Sequence, residues 1–167
     1  MKRLALIGFS GSGKSSLVTL AAKSGFAAVD SDALIERQCP DAAENMLGTG
    51  REEDFRMLET SVISGILKSG FDFAAFGGGV NYAHPAWKEI YQIGLKLIYL
   101  RSSFENLVGR FEDRPLYRKL GRDGYEKLFL ARRELYEKAA AFVVDTDRRG
   151  LDEIWSEIEE IWNSLFR

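Results

Sequence analysis

The feature that most constrains this chain is a glycine-rich segment near its start, Gly8–Ser15, which reads GFSGSGKS. It matches the phosphate-binding pattern G-x-x-x-x-G-K-[ST], in which the glycines allow successive backbone N–H groups to surround an anion. The lysine of the pattern reaches the β- and γ-phosphates, so we expect Lys14 to face the solvent of the site. The apolar run Leu4–Ile7 precedes the segment, and a helical pattern from Ser15 to Ser24 follows it. Because the pattern requires this strand–loop–helix setting, the sequence predicts a nucleoside triphosphate site.

The size and charge of the chain narrow the classes of protein to which it can belong. The 167 residues are 46% apolar and 29% charged, which is ordinary for one globular domain spanning 1–167. With 23 basic and 25 acidic residues, the formal net charge of −2 argues against a general nucleic-acid or membrane-surface binder. The single cysteine, Cys39, excludes an internal disulfide, and no apolar run has the length of a membrane span. We therefore expect a monomeric cytoplasmic protein without nucleic-acid or membrane partners.

The hydrophobic pattern alternates between strands and helices. Five apolar runs are predicted as strands: Leu4–Ile7, Phe26–Val29, Phe71–Phe76, Leu95–Leu100 and Phe142–Val144. Later helical patterns cover Glu52–Lys68, Gly124–Ala139 and Leu151–Phe166. The apolar stripe of the second pattern includes Tyr125, Leu135 and Tyr136, and that of the third includes Leu151 and the tryptophans Trp155 and Trp162, which we expect to be packing residues. Because the apolar runs are nearly continuous, they are typical of parallel strands buried on both faces. The sequence therefore predicts a doubly wound α/β fold, whose ligands bind beyond the carboxyl ends of the strands.

A basic segment between the last two predicted strands is interpreted as a loop. Residues 111–122 contain three arginines and one lysine together with Pro115 and Gly121. This composition predicts an exposed loop of the kind that closes over phosphates as a lid.

Polar residues and glycines follow two of the predicted strands. The second strand runs into Asp30-Ser31-Asp32, where one carboxylate could hold Mg²⁺ through water and the other could take a proton from a hydroxyl nucleophile. The alternative is that Asp32 only caps a helix that starts at Ala33. The third strand ends in Gly77-Gly78-Gly79. Three glycines are by default a flexible turn, but beside a phosphate site they also permit close approach of a ligand.

Two arginines stand out on the predicted helices. Arg132 lies in the middle of an apolar stripe, four residues after Leu128 and four before Tyr136. A buried arginine needs an anion, which is either an internal carboxylate or a bound carboxylate or phosphate. These two explanations are equally supported by the sequence. Arg56 precedes Glu59 by three residues, so Glu59 is able to hold its guanidinium in place.

Taken in order, these residues resemble the shikimate kinases, small ATP-dependent kinases of aromatic amino-acid biosynthesis. The matching segments cover nearly the whole chain: Gly8–Ser16, Asp30–Asp32 with Ile35 and Glu36, Gly50–Arg56 with Glu59, Gly77–Gly79, Arg114–Leu116, Arg132 with Leu135 and Tyr136, and Val144–Arg149. The resemblance implies a three-layer P-loop kinase fold with a five-stranded parallel sheet and helices on both faces. It also implies a substrate-binding helical segment at about 33–60 and a lid at about 111–122.

The resemblance also assigns roles to particular residues. It implies that ATP is bound by Gly11, Ser12, Gly13, Lys14, Ser15, Ser16, Arg110, Arg114 and Arg149, with Arg110 and Arg149 flanking the adenine. It implies that Mg²⁺ is held by Ser15 and Asp30. It implies that shikimate is bound by Asp32, Arg56, Gly78 and Arg132, with the two arginines on its carboxylate.

The implied reaction is phosphorylation of the 3-hydroxyl of shikimate. Asp32 would take the hydroxyl proton, while Lys14, Mg²⁺ and Arg114 would offset charge on the transferred phosphoryl group. The only histidine, His84, precedes Pro85 in a predicted loop, which disfavours histidine-based acid–base catalysis.

Two other functions remain open from the sequence. The chain could be a related kinase for another hydroxy acid, although the acceptor motifs of the gluconate kinases are absent. It could also be a catalytically inactive, regulatory nucleotide-binding protein. The intact set Lys14, Ser15, Asp30, Asp32 and Arg114 argues against inactivity.

Overall fold

A five-stranded parallel sheet forms the centre of the protein, whose computed structural model describes residues 2–80 and 93–166. The strands are β1 (Leu4–Ile7), β2 (Ala28–Asp30), β3 (Phe73–Ala75), β4 (Lys96–Arg101) and β5 (Phe142–Asp145). Their order across the sheet is β2-β3-β1-β4-β5, and every neighbouring pair is parallel. The predicted parallel sheet is therefore confirmed, with β1 at its centre.

Seven α-helices connect and cover these strands in the described part of the chain. They are α1 (Lys14–Lys23), α2 (Ser31–Gln38), α3 (Ala42–Met46), α4 (Glu52–Lys68), α5 (Phe104–Leu107), α6 (Pro115–Ala139) and α7 (Leu151–Phe166). A 3₁₀ turn, Val108–Arg110, follows α5. Within residues 2–80 and 93–166, no helix is both long enough and apolar enough to cross a bilayer.

Two hydrophobic cores lie on opposite faces of the sheet. Successive β1 side chains point to opposite faces, so Ala5 and Ile7 join one core while Leu4 and Leu6 join the other. The first core is covered by α4 and α6, and the second by α1 and α7. All four β1 residues are fully buried, which explains why this strand shows no polar alternation. The arrangement confirms the three predicted layers.

The apolar runs predicted the strands but not all of their ends. The strand β1 has the predicted bounds, whereas β2 begins at Ala28 instead of Phe26. The Ala27 N–H donates to the Asp72 side chain at 2.9 Å instead of to a strand carbonyl. The first residue of β2 that pairs with β3 is therefore Ala28. Apolar runs include residues that pack in the core without joining the ladder, and Phe71 is one of them.

The predicted loop at 111–122 is wrong over most of its length. Helix α6 begins at Pro115, because proline lacks the N–H that the first turn of a helix leaves unpaired. Only Gly121, with φ of 65°, departs from helical geometry inside α6. Ion pairs from Arg118 to Glu44 at 2.5 Å and from Lys119 to Glu52 at 2.7 Å join its first turns to α3 and α4. Closure of this segment as a lid stays a prediction.

Two leucines predicted to lie on buried stripes are partly exposed. Leu135 of α6 is 38% exposed because it lies about 100° around the helix from buried Tyr136. Leu151 is 39% exposed at the first position of α7. The two tryptophans of α7, Trp155 and Trp162, are buried against Phe73, as expected for packing residues.

Candidate active site

The glycine-rich segment forms a loop between β1 and α1. Gly11 and Gly13 have φ values of 82° and 96°, in the left-handed region that favours glycine. Ser12 is only 3% exposed, and its Oγ has no hydrogen-bond partner among the described residues. Ser15 and Ser16 are exposed in the first turn of α1. The loop therefore presents a helix N-terminus and an unpaired hydroxyl, as expected of an anion site.

The side chain of Lys14 is buried, which contradicts the expectation that it faces solvent. The residue is 7% exposed, and its Nζ donates to the carbonyls of Gly8 at 2.8 Å and Phe9 at 2.9 Å. The loop thus wraps around its own lysine. Burial lowers the pKa of Lys14 to about 8, although the nearby carboxylates of Asp32 and Asp30 oppose the shift.

The two arginines implied to flank adenine have different surroundings. Arg110 Nη1 donates to the Gly11 carbonyl at 3.1 Å, so this side chain contacts the phosphate-binding loop. Arg149 forms ion pairs with Glu153 at 2.8 Å and Glu157 at 2.6 Å on α7. Adenine binding by either residue stays a prediction.

The two aspartates at the junction of β2 and α2, Asp30 and Asp32, have different surroundings. Asp30 is the N-cap of α2, because its Oδ1 accepts from the N–H groups of Asp32 at 2.8 Å and Ala33 at 3.2 Å. The helix therefore begins at Ser31, and the alternative that Asp32 caps a helix starting at Ala33 is wrong. The Asp32 side chain instead lines a cavity, where desolvation raises its pKa while the Lys14 ammonium opposes the shift.

The glycine triplet Gly77–Gly79 packs closely against the phosphate-binding loop and against charged side chains of α2 and α4. A Cβ on Gly77 would lie 2.6 Å from Glu59 Oε1 and 2.7 Å from Asp32 Oδ1. A Cβ on Gly78 would lie 3.1 Å from the backbone nitrogen of Ser10, within the phosphate-binding loop. On Gly79 it would overlap the Arg56 guanidinium. The triplet is therefore glycine because of close approach, and the interpretation as a flexible turn does not account for it.

A cavity of about 300 Å³ opens beside the phosphate-binding loop. Its polar lining consists of Ser10, Asp32, Glu36, Arg56, Glu59, Gly78, Gly79, Arg114 and Arg132. Its apolar lining consists of Ile35, Ala43, Leu47, Phe55, Pro115, Leu116 and Tyr125. The cavity thus combines apolar walls with convergent charged groups, as small-molecule sites do.

Two of the three arginines that line this cavity, Arg56 and Arg132, are held in different ways. Arg56 Nη1 donates to Glu59 Oε2 at 2.8 Å, and Glu59 is 3% exposed. Burial raises the pKa of Glu59, and the Arg56 charge opposes that shift. Arg132 has no ion pair with any carboxylate in residues 2–80 and 93–166, and its guanidinium lies 5.6 Å from the Phe9 ring centroid. Burial lowers the pKa of Arg132.

Two lining residues were not singled out from the sequence: Ser10 is a variable position of the glycine-rich pattern, and Tyr125 was interpreted only as a member of the apolar stripe of α6. Tyr136, which contacts the lining glycine Gly78, was named in the stripe and in the resemblance but was given no role. For Tyr136 the available signal was its position one helical turn after Arg132. His84 lies outside the described residues.

The geometry defines what the site can do chemically. Ser10 of the phosphate-binding loop and Gly78, which packs on the backbone of that loop, both line the cavity. The carboxylate of Asp32 and the guanidinium groups of Arg114 and Arg132 belong to the same lining. Such a site can hold a phosphate donor and an anionic acceptor next to each other.

Comparison with known proteins gives the family. A family model described as Shikimate kinase matches residues 10–162. The chain belongs to the shikimate kinase family. It is 34% identical to the shikimate kinase of Chlorobium chlorochromatii (strain CaD3) over 174 residues, covering 97% of this chain and 90% of that protein. It is 32% identical over 161 residues to the family member from Dehalococcoides mccartyi (strain ATCC BAA-2100 / JCM 16839 / KCTC 5957 / BAV1), with 94% and 91% covered.

Solved structures of the family share the fold. The shikimate kinase from Acinetobacter baumannii in complex with shikimate superposes with a TM-score of 0.77 at 21% identity, covering 99% of this chain and 95% of that one. The enzyme from Aquifex aeolicus vf5 also gives 0.77, at 23% identity, with 97% and 96% covered. These structural matches confirm the P-loop kinase architecture that the sequence resemblance implied.

The burial of Lys14 predicts a pH-dependent stability difference. Since the folded-state pKa is about 8 and the ordinary value is 10.5, the unfolded chain binds the proton more tightly between these values. Stability of the ligand-free protein should therefore rise with pH over this window. Relative to Lys14→Met, the wild type should gain free energy of unfolding on the order of 3 kcal/mol. Urea denaturation of both proteins from pH 7 to 11 measures the difference.

The comparison with Lys14→Met controls for the other titrating groups, because they contribute similarly to the free energy of unfolding of both proteins. The hydrogen bonds lost at Gly8 and Phe9 shift the variant by a constant amount. Parallel curves for the two proteins across the window would mean that Lys14 is not desolvated in solution.

Proposed function

We propose that this chain transfers the γ-phosphoryl group of ATP to the 3-hydroxyl of shikimate. The observation that carries the proposal is the cavity beside the phosphate-binding loop, in which Arg132 has no carboxylate partner among the described residues and Asp32 lies nearby. Membership of the shikimate kinase family supports this choice of acceptor over other hydroxy acids. The relative from Acinetobacter baumannii, solved with shikimate, supports it as well.

The acceptor side needs an anion site and a proton acceptor. Arg132 and Arg56 would bind the carboxylate of shikimate, since arginine forms bidentate pairs with carboxylates. Asp32 would orient the attacking hydroxyl and take its proton. The raised pKa of Asp32 favours that role, because a more basic carboxylate accepts a proton more readily.

The nucleotide side needs positive charge around the transferred group. Lys14 would exchange its bonds to the loop carbonyls for the β- and γ-phosphates of ATP. Arg114 lies at the N-terminus of α6 and lines the cavity, so its guanidinium would reach the phosphoryl group from the acceptor side. Both cations would stabilise charge that develops during transfer.

The residues present fit a magnesium ion held with ATP. Asp30 uses Oδ1 to cap α2, while its Oδ2 accepts no hydrogen bond from the described residues. The Ser15 hydroxyl is likewise unbonded within the described chain, in the exposed first turn of α1. A hydroxyl and a carboxylate oxygen suit Mg²⁺, which keeps several waters and binds phosphates. When bound, the ion neutralises phosphate charge, and Ser15 and Asp30 would hold it.

The function is tested by coupled ADP release over a panel of hydroxy acids that includes shikimate and gluconate. We expect ADP release that depends on shikimate, with shikimate 3-phosphate identified by mass spectrometry. Turnover with another acid alone would favour the related-kinase alternative. Tight ATP binding without release for any acid would favour the regulatory alternative.

Replacing the proposed base should lower the rate without affecting the fold. In Asp32→Asn the size is kept but the proton acceptor is lost, so kcat should fall by about 10²–10⁴-fold. Because Asp30 and not Asp32 caps α2, the melting temperature should be unchanged. Steady-state kinetics and thermal melting measure both quantities. A kcat within a few-fold of wild type would remove Asp32 from the chemistry.

Replacing Arg132 should weaken acceptor binding selectively. Arg132→Lys keeps the charge but loses the planar fork, so KM for shikimate should rise about tenfold or more. The KM for ATP should change by less than about twofold, because the residue lies on the acceptor side.

The neighbouring arginine supplies a matched control. Arg133 is on the same helix but is exposed and paired with Glu137 at 3.9 Å, so Arg133→Lys should leave both KM values unchanged. If Arg132→Lys lowered the melting temperature sharply and left KM alone, Arg132 would be a structural cation. The acceptor carboxylate would then be bound elsewhere.

A further inference from the structure

The glycine triplet has no side chains to hold it, so its hydrogen bonds decide its conformation. Ser31 Oγ accepts the Gly77 N–H at 3.0 Å, and Ser31 is fully buried. The Gly77 carbonyl accepts the Val80 N–H at 3.2 Å and closes a turn. The Gly78 carbonyl accepts the hydroxyl proton of Tyr136. Three successive peptide planes are thus each held by one of these bonds.

Tyr136 holds this turn from the helix that also carries Arg132. The two residues are one helical turn apart on α6, and Tyr136 is 1% exposed. Its ring packs on Tyr99 of β4 with centroids 5.2 Å apart. Burial raises the pKa of Tyr136, so its hydroxyl remains a proton donor.

The direction of the Tyr136 bond determines the direction of the next amide. In a trans peptide the C=O and the following N–H point to opposite sides, so fixing the Gly78 carbonyl also fixes the Gly79 N–H. Gly78 and Gly79 both line the acceptor cavity. Ser31 holds the plane between Phe76 and Gly77, at the start of the triplet, from the junction of β2 and α2 next to Asp32.

Packing alone does not account for a tyrosine at position 136. A phenylalanine would fill the same space against Tyr99, whereas a buried hydroxyl needs a hydrogen-bond partner. Here that partner is the backbone of the cavity wall.

We propose that the hydroxyls of Tyr136 and Ser31 form a two-sided clamp that positions the glycine triplet to receive the acceptor. The clamp rests on the proposed function for the identity of the acceptor. It fixes Gly78 relative to Arg132 through α6 and relative to Asp32 through α2. Tyr136 and Ser31 are positioning residues, since both act on the acceptor through the triplet backbone.

The kinetic test compares Tyr136→Phe with the matched variant Tyr99→Phe. Tyr99 is equally buried, but its hydroxyl makes no hydrogen bond to the triplet. We expect Tyr136→Phe to raise KM for shikimate about five- to twentyfold and to leave KM for ATP within twofold. Tyr99→Phe should change neither. Equal KM values for shikimate in Tyr136→Phe and wild type would overturn the clamp, whatever the melting temperature.

A second measurement does not depend on turnover. Amide hydrogen exchange at Gly77–Gly79, followed by NMR, should be at least about tenfold faster in Tyr136→Phe than in Tyr99→Phe. Unchanged exchange would overturn the clamp even if the enzyme phosphorylated shikimate. Faster exchange in a protein without shikimate turnover would support the clamp and reject the proposed function.

Both measurements are repeated on Ser31→Ala, which removes the hydrogen bond at the other end of the triplet. If Tyr136→Phe does not fold, Ser31→Ala alone tests the clamp. We expect the same selective rise in KM for shikimate and faster exchange at Gly77. An unchanged KM together with unchanged exchange would overturn the clamp.

Discussion

The packing of Gly78 against the backbone of the phosphate-binding loop is the contact on which the whole site depends. β1 and β3 are neighbours in the sheet, and their register pairs Leu6 with Ala75, so the segments that follow the two strands meet directly. A Cβ on Gly78 would lie 3.2 Å from the carbonyl oxygen of Gly8, so a larger side chain would push the two segments apart. Because the residue is glycine, the cavity lining at Gly78 packs directly on the phosphate-binding loop. Phosphoryl transfer needs such proximity, because the protein contributes mainly positioning and electrostatic stabilisation.

The fold was predictable because its signals are local. Each strand is a short apolar run, each long helix carries a helical hydrophobic period, and the glycine-rich pattern of Gly8–Ser15 contains the backbone freedom that its loop needs. The pairing of Arg56 with Glu59 was also predictable, since residues three apart on a helix are neighbours. The parallel order of the sheet followed from strands that alternate with helices.

The parts that could not be predicted depend on contacts that the local sequence does not encode. Lys14 is buried because the loop folds around it, and a motif gives the identity of the lysine without its solvation. Asp30 and Asp32 are both good cap residues, so only the helix start at Ser31 decides between them. The basic composition of 111–122 suggested a loop, but Pro115 suits a first helical turn equally well, and ion pairs to α3 and α4 contact that turn.

Arg56 and Arg132 differ in the ion pairs that they make, and this difference indicates how an anionic acceptor would gain binding energy. Glu59 already satisfies Arg56, so this guanidinium is oriented in advance but partly neutralised. The guanidinium of Arg132 lies 5.6 Å from the Phe9 ring centroid, it forms no ion pair with a carboxylate of the described residues, and burial penalises its charge. A ligand carboxylate would relieve that penalty at Arg132, because Glu59 is ion-paired with Arg56 and acts on Arg132 only as the smallest of the favourable charges around it. Under the proposed function, Arg56 therefore contributes orientation and Arg132 contributes most of the charge-dependent affinity. Under that function the site would also be selective, because an uncharged acceptor would leave the half-buried guanidinium of Arg132 without a bound carboxylate.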